Sequence, residues 1–324
     1  MKETILERLR QGGHVSGEDL GRTIGISRTA IWKYIKELRH AGYQIDSSPN
    51  KGYLLVSAPD NPFPEEIKAG LNTRVLGKTV VFHKEVASTQ DVAKSLAAQG
   101  ADEGTVVVAE TQSGGRGRIG RAWSSPSGGI YFSIILRPNI RPTEALRLPL
   151  IAGIAVAQAI AFLTELKPKL KWPNDIIING RKAGGILTEM SAEVDRLDWV
   201  IIGIGLNVNT PPESFPSDIE DIATSLMKAE GEYIPRVKLL QHILRELESL
   251  LDIFHESGFE PLRTQWKELS NTIGETVKVI SGSEEIIGHA IDIDSDGALI
   301  LQKNDGTKER IIAGDVYIRK ASNG

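Results

Sequence analysis

Apolar residues along the chain follow three rhythms in succession. The first has helical spacing: Ile5, Leu6 and Leu9 mark one side of a helix over Thr4–Arg10, and Leu20 and Ile24 mark a second that opens at Ser16. Ser16, with Asp19 three residues on, is the side-chain cap that starts such a helix. Gly25 breaks the run, and Ser27 caps a third helix, Arg28–His40, with Ile31, Ile35 and Leu38 on its apolar side. Arg28, Thr29, Trp32, Lys33 and Lys36 fall on the other side. Two short strand-like runs, Tyr43–Asp46 and Tyr53–Val56, then flank a turn over Ser47–Gly52 that carries Lys51. Two helices about a glycine turn, followed by a hairpin, form the winged helix-turn-helix pattern.

The second rhythm alternates strands and helices. Val75–Phe82 is strand-like, and Ser88 caps a helix through Gln99, with Asp91 placed to complete a capping box. The apolar runs Thr105–Ala109 and Ile130–Leu136 are strands, and Pro142–Leu166 is a long apolar helix starting at proline. Lys169–Trp172, Asp175–Asn179, Ile186–Glu193 and Trp199–Val208 follow as strands, with Asn179-Gly180 as a hairpin turn. Helices Leu239–Phe254 and Glu260–Leu269 close this part. From about Asn271 short apolar runs recur between Gly/Asp/Ser turns, the third rhythm, and they predict a small all-β barrel. The predicted architecture is multidomain α+β. Residues 1–57 form a winged helix, 58–64 (three prolines) a linker, 65–270 a mixed α/β domain, and 271–324 a small β domain.

Composition sharpens this picture. The chain has no cysteine, which excludes disulfides and thiolate chemistry. Its start has no apolar signal region, and no apolar run approaches the roughly 20 residues of a membrane span, so a cytoplasmic protein with no membrane partner is expected. Residues 1–57 hold nine Lys/Arg against six Asp/Glu, a net +3, while the whole chain is −4; the remainder therefore carries −7. A basic head on an acidic body suits a module that binds a polyanion such as DNA.

Candidate chemistry concentrates in three places. Gly114-Gly115-Arg116-Gly117-Arg118-Ile119-Gly120-Arg121 follows a strand and ends near Trp123. Glycine lets backbone approach a ligand closely, and arginine offers a permanently charged fork to carboxylates and phosphates. Gly115, Gly117 and Gly120 satisfy the spacing G-x-G-x-x-G, but a second strand follows in place of the helix that a dinucleotide fold needs. No Gly-Lys-Ser/Thr ends the loop, so it is not a P-loop either. Lys171-Trp172-Pro173-Asn174-Asp175 and the segment Arg181–Glu189, with Lys182, form a second cluster. On its own it also fits a plain sheet-end turn with a solvated lysine. Gly203–Asn209 ends a strand with two glycines and two asparagines, which also fits a glycine-marked bulge.

Taken together, Gly114–Trp123, Lys171–Asp175, Arg181–Glu189 and Gly203–Asn207 resemble the bifunctional biotin–protein ligases that double as biotin operon repressors. The resemblance covers essentially the whole chain. It implies a class II synthetase-like catalytic domain with an SH3-like C-terminal β-barrel. It also implies a two-step reaction: biotin and ATP, with Mg²⁺, give biotinyl-5′-AMP, and a lysine of a biotin carboxyl carrier domain then takes the biotinyl group. By resemblance, Ser88, Thr89, Gln90, Gln112, Arg116, Gly117, Arg118 and Lys182 should bind biotin, with Lys182, Arg118 and Arg116 catalytic. Arg121, Trp123, Asn174, Asp175 and Asn207 should lie on the nucleotide side. An adenine-covering loop should fall near residues 211–224, where Phe215 and Ile222 are candidates. Arg28, Thr29, Trp32, Lys33, Lys36 and Lys51 should face operator DNA, and a homodimer is expected when the adenylate is bound. The alternatives are a biotin-sensing repressor without catalysis and a lipoate–protein ligase.

Overall fold

The structure is a computed structural model that describes residues 1–193, 196–281 and 284–318. The end of the predicted 271–324 domain, residues 319–324, lies outside the described residues. Two compact units result, Met1–Gly70 and Leu71–Gly324.

In the first unit, helices α1 (Lys2–Arg10), α2 (Gly17–Ile24) and α3 (Arg28–His40) precede strands β1 (Gln44–Ser48) and β2 (Gly52–Ser57). Both predicted caps form: Ser16 Oγ accepts from the Asp19 amide at 3.0 Å and Ser27 Oγ from the Ala30 amide at 3.2 Å. Gly25 ends α2 at φ 77°, a left-handed conformation that only glycine adopts cheaply. Ile5, Leu6, Leu9, Leu20, Ile31, Ile35 and Leu38 meet in one core with Tyr43 and Ile45. Val15 pairs with Tyr53 and adds a bridge to the hairpin. This unit continues past residues 58–64, because a short helix α4 (Pro64–Lys68) is bound to it. Glu66 accepts a hydrogen bond from Tyr43 Oη at 2.5 Å and pairs with Arg10, and Ile67 is buried. Residues 65–70, assigned above to the α/β domain, therefore go with the head.

The second unit is built on a seven-stranded sheet. Its elements in chain order are β3 (Val80–Val86), α5 (Thr89–Ala98), β4 (Val106–Gln112), β5 (Ile130–Leu136), α6 (Leu148–Leu163), β6 (Lys169–Lys171), β7 (Asp175–Ile178), β8 (Arg181–Ala192), β9 (Leu197–Leu206), α7 (Leu226–Glu230), α8 (Arg236–Ser257) and α9 (Glu260–Leu269). The strand order is β3-β4-β5-β9-β8-β7-β6. All neighbours are antiparallel except β3 and β4. Helix α5 packs on β4, β5 and β9, whereas α6 packs on β6–β9 and against α8 and α9.

Three expectations change here. The strand predicted at Val75 starts only at Val80, because the amides of Arg74, Val75 and Leu76 donate to the Glu248 carboxylate of α8 at 2.6–2.9 Å. The predicted helix Pro142–Leu166 is a 3-10 turn, Pro142–Arg147, followed by α6. By composition Pro142–Leu163 (22 residues, mean hydropathy 1.9) is long and apolar enough to cross a membrane, which corrects the reading that no run approaches that length. Most of its apolar window, 61%, is buried against the sheet and neighbouring helices, as the core helix of a folded domain would be.

The remaining strands, β10 (Thr276–Ser281), β11 (Glu284–Ile293), β12 (Leu299–Gln302), β13 (Lys308–Ile311) and β14 (Asp315–Ile318), form an antiparallel sheet in the order β13-β12-β11-β10-β14. Among the described residues it is open, with β13 and β14 as its edges. One edge matters most: β14 is brought beside the α/β domain, where it meets the Gly/Arg loop.

Candidate active site

The Gly/Arg loop is ordered by its own backbone. Beyond β4 it doubles back: the Gly117 amide donates to Arg121 O at 2.6 Å, Trp123 to Gly115 O at 2.9 Å and Gln112 to Ser125 O at 3.2 Å. Arg118–Gly120 form one 3-10 turn with Ile119 at φ 55°, and Ile119 points to solvent. The loop rims a cavity of about 270 Å³.

The cavity floor is glycine for a steric reason. Ser133 of β5 lies opposite Gly203 of β9, and Gly205 opposite Gly185 of β8. A Cβ on Gly205 would sit 2.5 Å from Trp123 Nε1, and one on Gly203 would sit 2.4 Å from Gln90 Oε1. The register of β9 with both neighbours is unbroken here, so these glycines do not mark a bulge. They admit Trp123 and Gln90.

At one end Ser88 caps α5, accepting from the Gln90 amide at 3.3 Å. The predicted capping box does not close, because Asp91 forms an ion pair with Arg116 instead. Glu189 lies 4.0 Å from the same guanidinium. Gln112 Oε1 accepts from the Thr89 amide at 2.8 Å, and its Nε2 donates to Ser125 Oγ at 2.8 Å.

The second cluster supplies the cations. Trp172 is buried, its indole N–H donating to Gly297 O at 2.9 Å, and it precedes Pro173 through a cis peptide. Asn174 is then locked by Nδ2 donating to Ile186 O at 2.7 Å. Lys182 follows the Asn179-Gly180 turn. Its Nζ lies 2.6 Å from Asp175 Oδ1 and 5.4 Å from the centre of the Trp123 ring. Arg118 donates to Gly314 O at 3.2 Å and Asn174 Oδ1 at 3.4 Å, and burial pulls its pKa below the usual guanidinium range. Arg121 reaches Asp315 at 2.5 Å and Tyr317 Oη at 3.4 Å. Burial lowers the Lys171 pKa, an effect that Asp175 opposes and Lys182 reinforces. Asn207 donates from Nδ2 to Thr224 O at 3.2 Å, while its buried Oδ1 has no partner among the described residues.

All thirteen ligand-site residues expected from the sequence, from Ser88 to Asn207, line this one cavity. Phe215 and Ile222 line it too, the first buried and the second exposed. Sequence reasoning missed Ser133, although a hydroxyl inside the apolar run Ile130–Leu136 is a visible signal. It also missed the wall formed by Asp315 and Tyr317, which no local pattern announces. In the head, Arg28, Thr29, Trp32, Lys33 and Lys36 are exposed on α3, with Lys36 Nζ 5.6 Å from the Trp32 ring centre. Lys51 is exposed between β1 and β2.

Comparison with known proteins agrees in order and extent. Residues 82–207 match the biotin/lipoate A/B protein ligase family, residues 2–54 an HTH domain, and residues 272–319 the biotin protein ligase C terminal domain. The chain is 42% identical over 321 residues to the bifunctional ligase/repressor BirA of Bacillus subtilis, covering 98% of each chain. It is 32% identical over 322 residues to BirA of Escherichia coli, covering 98% of this chain and 97% of that one. The solved biotin protein ligase from Aquifex aeolicus in complex with biotin and ATP is similar at a TM-score of 0.65 and 34% identity, over 75% of this chain and 100% of that one.

Proposed function

The chain belongs to the biotin/lipoate A/B protein ligase family, among its bifunctional ligase/repressors, and from that premise we propose how its cavity works. The protein is an ATP-dependent biotin–protein ligase with a helix-turn-helix repressor head. A biotin carboxylate oxygen attacks the α-phosphorus of ATP and pyrophosphate leaves. The ε-amine of a carrier-domain lysine then attacks the acyl carbon of biotinyl-5′-AMP and AMP leaves.

The first step brings two anions together. Unit charges about 4 Å apart repel by roughly 4 kcal/mol at an effective dielectric near 20. Preorganised cations offset this repulsion and stabilise the charge that develops in the transition state. In our reading Lys182 is that cation, set between the biotin carboxylate and the α-phosphate. The observation that carries it is the seat of Lys182: its ammonium is held by Asp175 and Trp123 in the wall of the same cavity that Ser88, Thr89, Arg118 and Arg121 line. Biotin's ureido ring then lies at Ser88, Thr89 and Gln112. Arg116, Gly117 and Arg118 close over biotin and phosphate, and Arg121, Trp123, Asn174, Asp175 and Asn207 face the nucleotide. Phe215 is the better candidate to cover adenine, being an aromatic buried in the wall.

Mg²⁺ usually takes one or two carboxylates plus substrate phosphates. The donor set fits that mode: Asp175 and Asp315 are the carboxylates lining the cavity, and no group of three or more His, Asp or Glu gathers among the described residues. The ion would neutralise charge on the triphosphate. In our reading the five-stranded antiparallel sheet is SH3-like, supported by β14 returning along the chain to pair with β10. Adenylate retained in the absence of carrier would favour a homodimer whose two heads meet a two-fold operator. In our reading this work, on a carrier domain and an operator, belongs in the cytoplasm.

Incubation with biotin, ATP and Mg²⁺ should yield biotinyl-5′-AMP by mass spectrometry. Absence of that product would leave the two alternatives, and adenylation of lipoate in its place would favour the lipoate ligase over the sensor. A gel shift on the biotin operator that ignored biotin plus ATP would reject the corepressor reading.

A further inference from the structure

In the wall at the polar end of the cavity lies a chain of hydrogen bonds whose proton directions can be deduced. Gln90 Nε2 lies 3.3 Å from Ile201 O. A carbonyl only accepts, so the amide nitrogen must face it, and Gln90 Oε1 must face Ser133 Oγ at 3.0 Å. That buried oxygen needs a proton, and Ser133 Oγ, fully buried, is the donor that the structure gives it. Having spent its single proton, Ser133 can only accept from Thr89 Oγ1, 2.9 Å away. Thr89 Oγ1 has a competing acceptor, Gln112 Oε1, at 3.2 Å. Were Thr89 to donate there and Ser133 to Thr89, Gln90 Oε1 would be orphaned in the interior. An unmet buried acceptor is the costlier arrangement. Gln112 Oε1 loses nothing in the favoured one, since the Thr89 amide already donates to it at 2.8 Å.

We propose that Ser133 and Gln90 are positioning residues: they draw the Thr89 proton inward, so that Thr89 Oγ1 meets the substrate ring as a hydrogen-bond acceptor. Ser88 Oγ accepts from the Gln90 amide, which leaves its own proton to donate. The end of the cavity thus offers an acceptor and a donor side by side, complementary to a cyclic urea's N–H and adjacent carbonyl. The inference rests on the biotin reading of the cavity and deepens it. Gln90, expected from the sequence to bind biotin, lines the cavity but acts through Ser133 and Thr89. Gly203 belongs to the same device, because a side chain there would collide with the Gln90 amide oxygen.

A double-mutant cycle on the full-length protein tests this through biotin-dependent ATP–pyrophosphate exchange. Ser133→Ala should raise the biotin KM by roughly tenfold, about the worth of one hydrogen bond, with kcat at saturating biotin held within about twofold. Thr89→Val should raise KM at least as much, and adding Ser133→Ala to it should change nothing further. Gln90→Leu should behave as Ser133→Ala does. Wild type should discriminate against a cyclic-carbamate analogue, with oxygen in place of the ureido N–H, more strongly than Ser133→Ala. Additive effects in the Thr89→Val background would mean that Ser133 touches the substrate itself and would overturn the proposal. So would unchanged discrimination. A wild-type protein without biotin-dependent exchange would sink the biotin reading instead, and the two failures are distinct.

Discussion

Gly205→Ala puts loop closure to a direct test. The added methyl would meet Trp123 Nε1 at 2.5 Å, Cε2 at 2.7 Å and Cζ2 at 3.1 Å, where ordinary contact is 3.4–4 Å. An indole ring cannot bend, so it must retreat by about 1 Å. Strand β9 cannot yield instead, because it is bonded on both sides, to β5 and β8. Trp123 carries the loop with it: its amide donates to Gly115 O, and its ring faces the Lys182 ammonium. Overpacking of this kind costs about 1–3 kcal/mol, and little of that can be relieved in the floor. The closed state should therefore lose roughly five- to 150-fold in population relative to the open one.

The assay forms biotinyl-5′-AMP on the enzyme, dilutes it into excess unlabelled biotin and ATP without carrier, and follows its release. Gly205→Ala should release the adenylate faster by a factor in that range, with a melting temperature within a few degrees of wild type, since the methyl points into the cavity. The control is Trp123→Ala, which removes the obstacle. In that background Gly205→Ala should have little effect. Wild-type retention by Gly205→Ala, or an equal effect with and without the indole, would refute the reasoning that Trp123 seats the loop on a glycine floor.

Lys182→Ala should lose adenylation by roughly 10²–10³-fold, the usual cost of one transition-state charge stabiliser, while keeping its circular dichroism; normal pyrophosphate exchange would remove Lys182 from the chemistry. Arg118→Gly frees the loop from Gly314 and Asn174, so adenylate should escape and biotinylate bystander lysines, read by streptavidin blot. Asp315→Ala should raise the KM for ATP severalfold by releasing Arg121, with Asp315→Glu restoring it; equal defects in both variants would point to simple damage of β14. Trp32→Ala should weaken operator binding by roughly tenfold in a gel shift and leave ligation untouched, because the indole is exposed on α3.

What could be read from the sequence divides by the distance between partners. The head was legible because its decisive contacts are local: Ser16 and Ser27 each cap an amide three residues on, and Gly25 sits where a left-handed residue is required. The site's residues were legible as types, since glycine and arginine so concentrated have few other uses. Their connections were not. Asp91 could cap its helix beside Ser88, a local bond worth about 1 kcal/mol, yet it faces Arg116, 25 residues away, in a contact between full charges. The amides of Arg74, Val75 and Leu76 could have begun a strand, yet a carboxylate more than 170 residues away satisfies all three at once. Arg118 and Arg121, alike in the sequence, diverge because Gly314, just before β14, offers one a carbonyl and Asp315, the first residue of β14, offers the other a carboxylate across nearly 200 residues. In each case a local option of modest worth yields to a remote group that meets more polar atoms or a full charge. Spacing along a chain reports the first kind of contact and carries no trace of the second. The same holds for Ser133: its hydroxyl stands out in an apolar strand, but the direction of its proton depends on Ile201, a carbonyl in another strand.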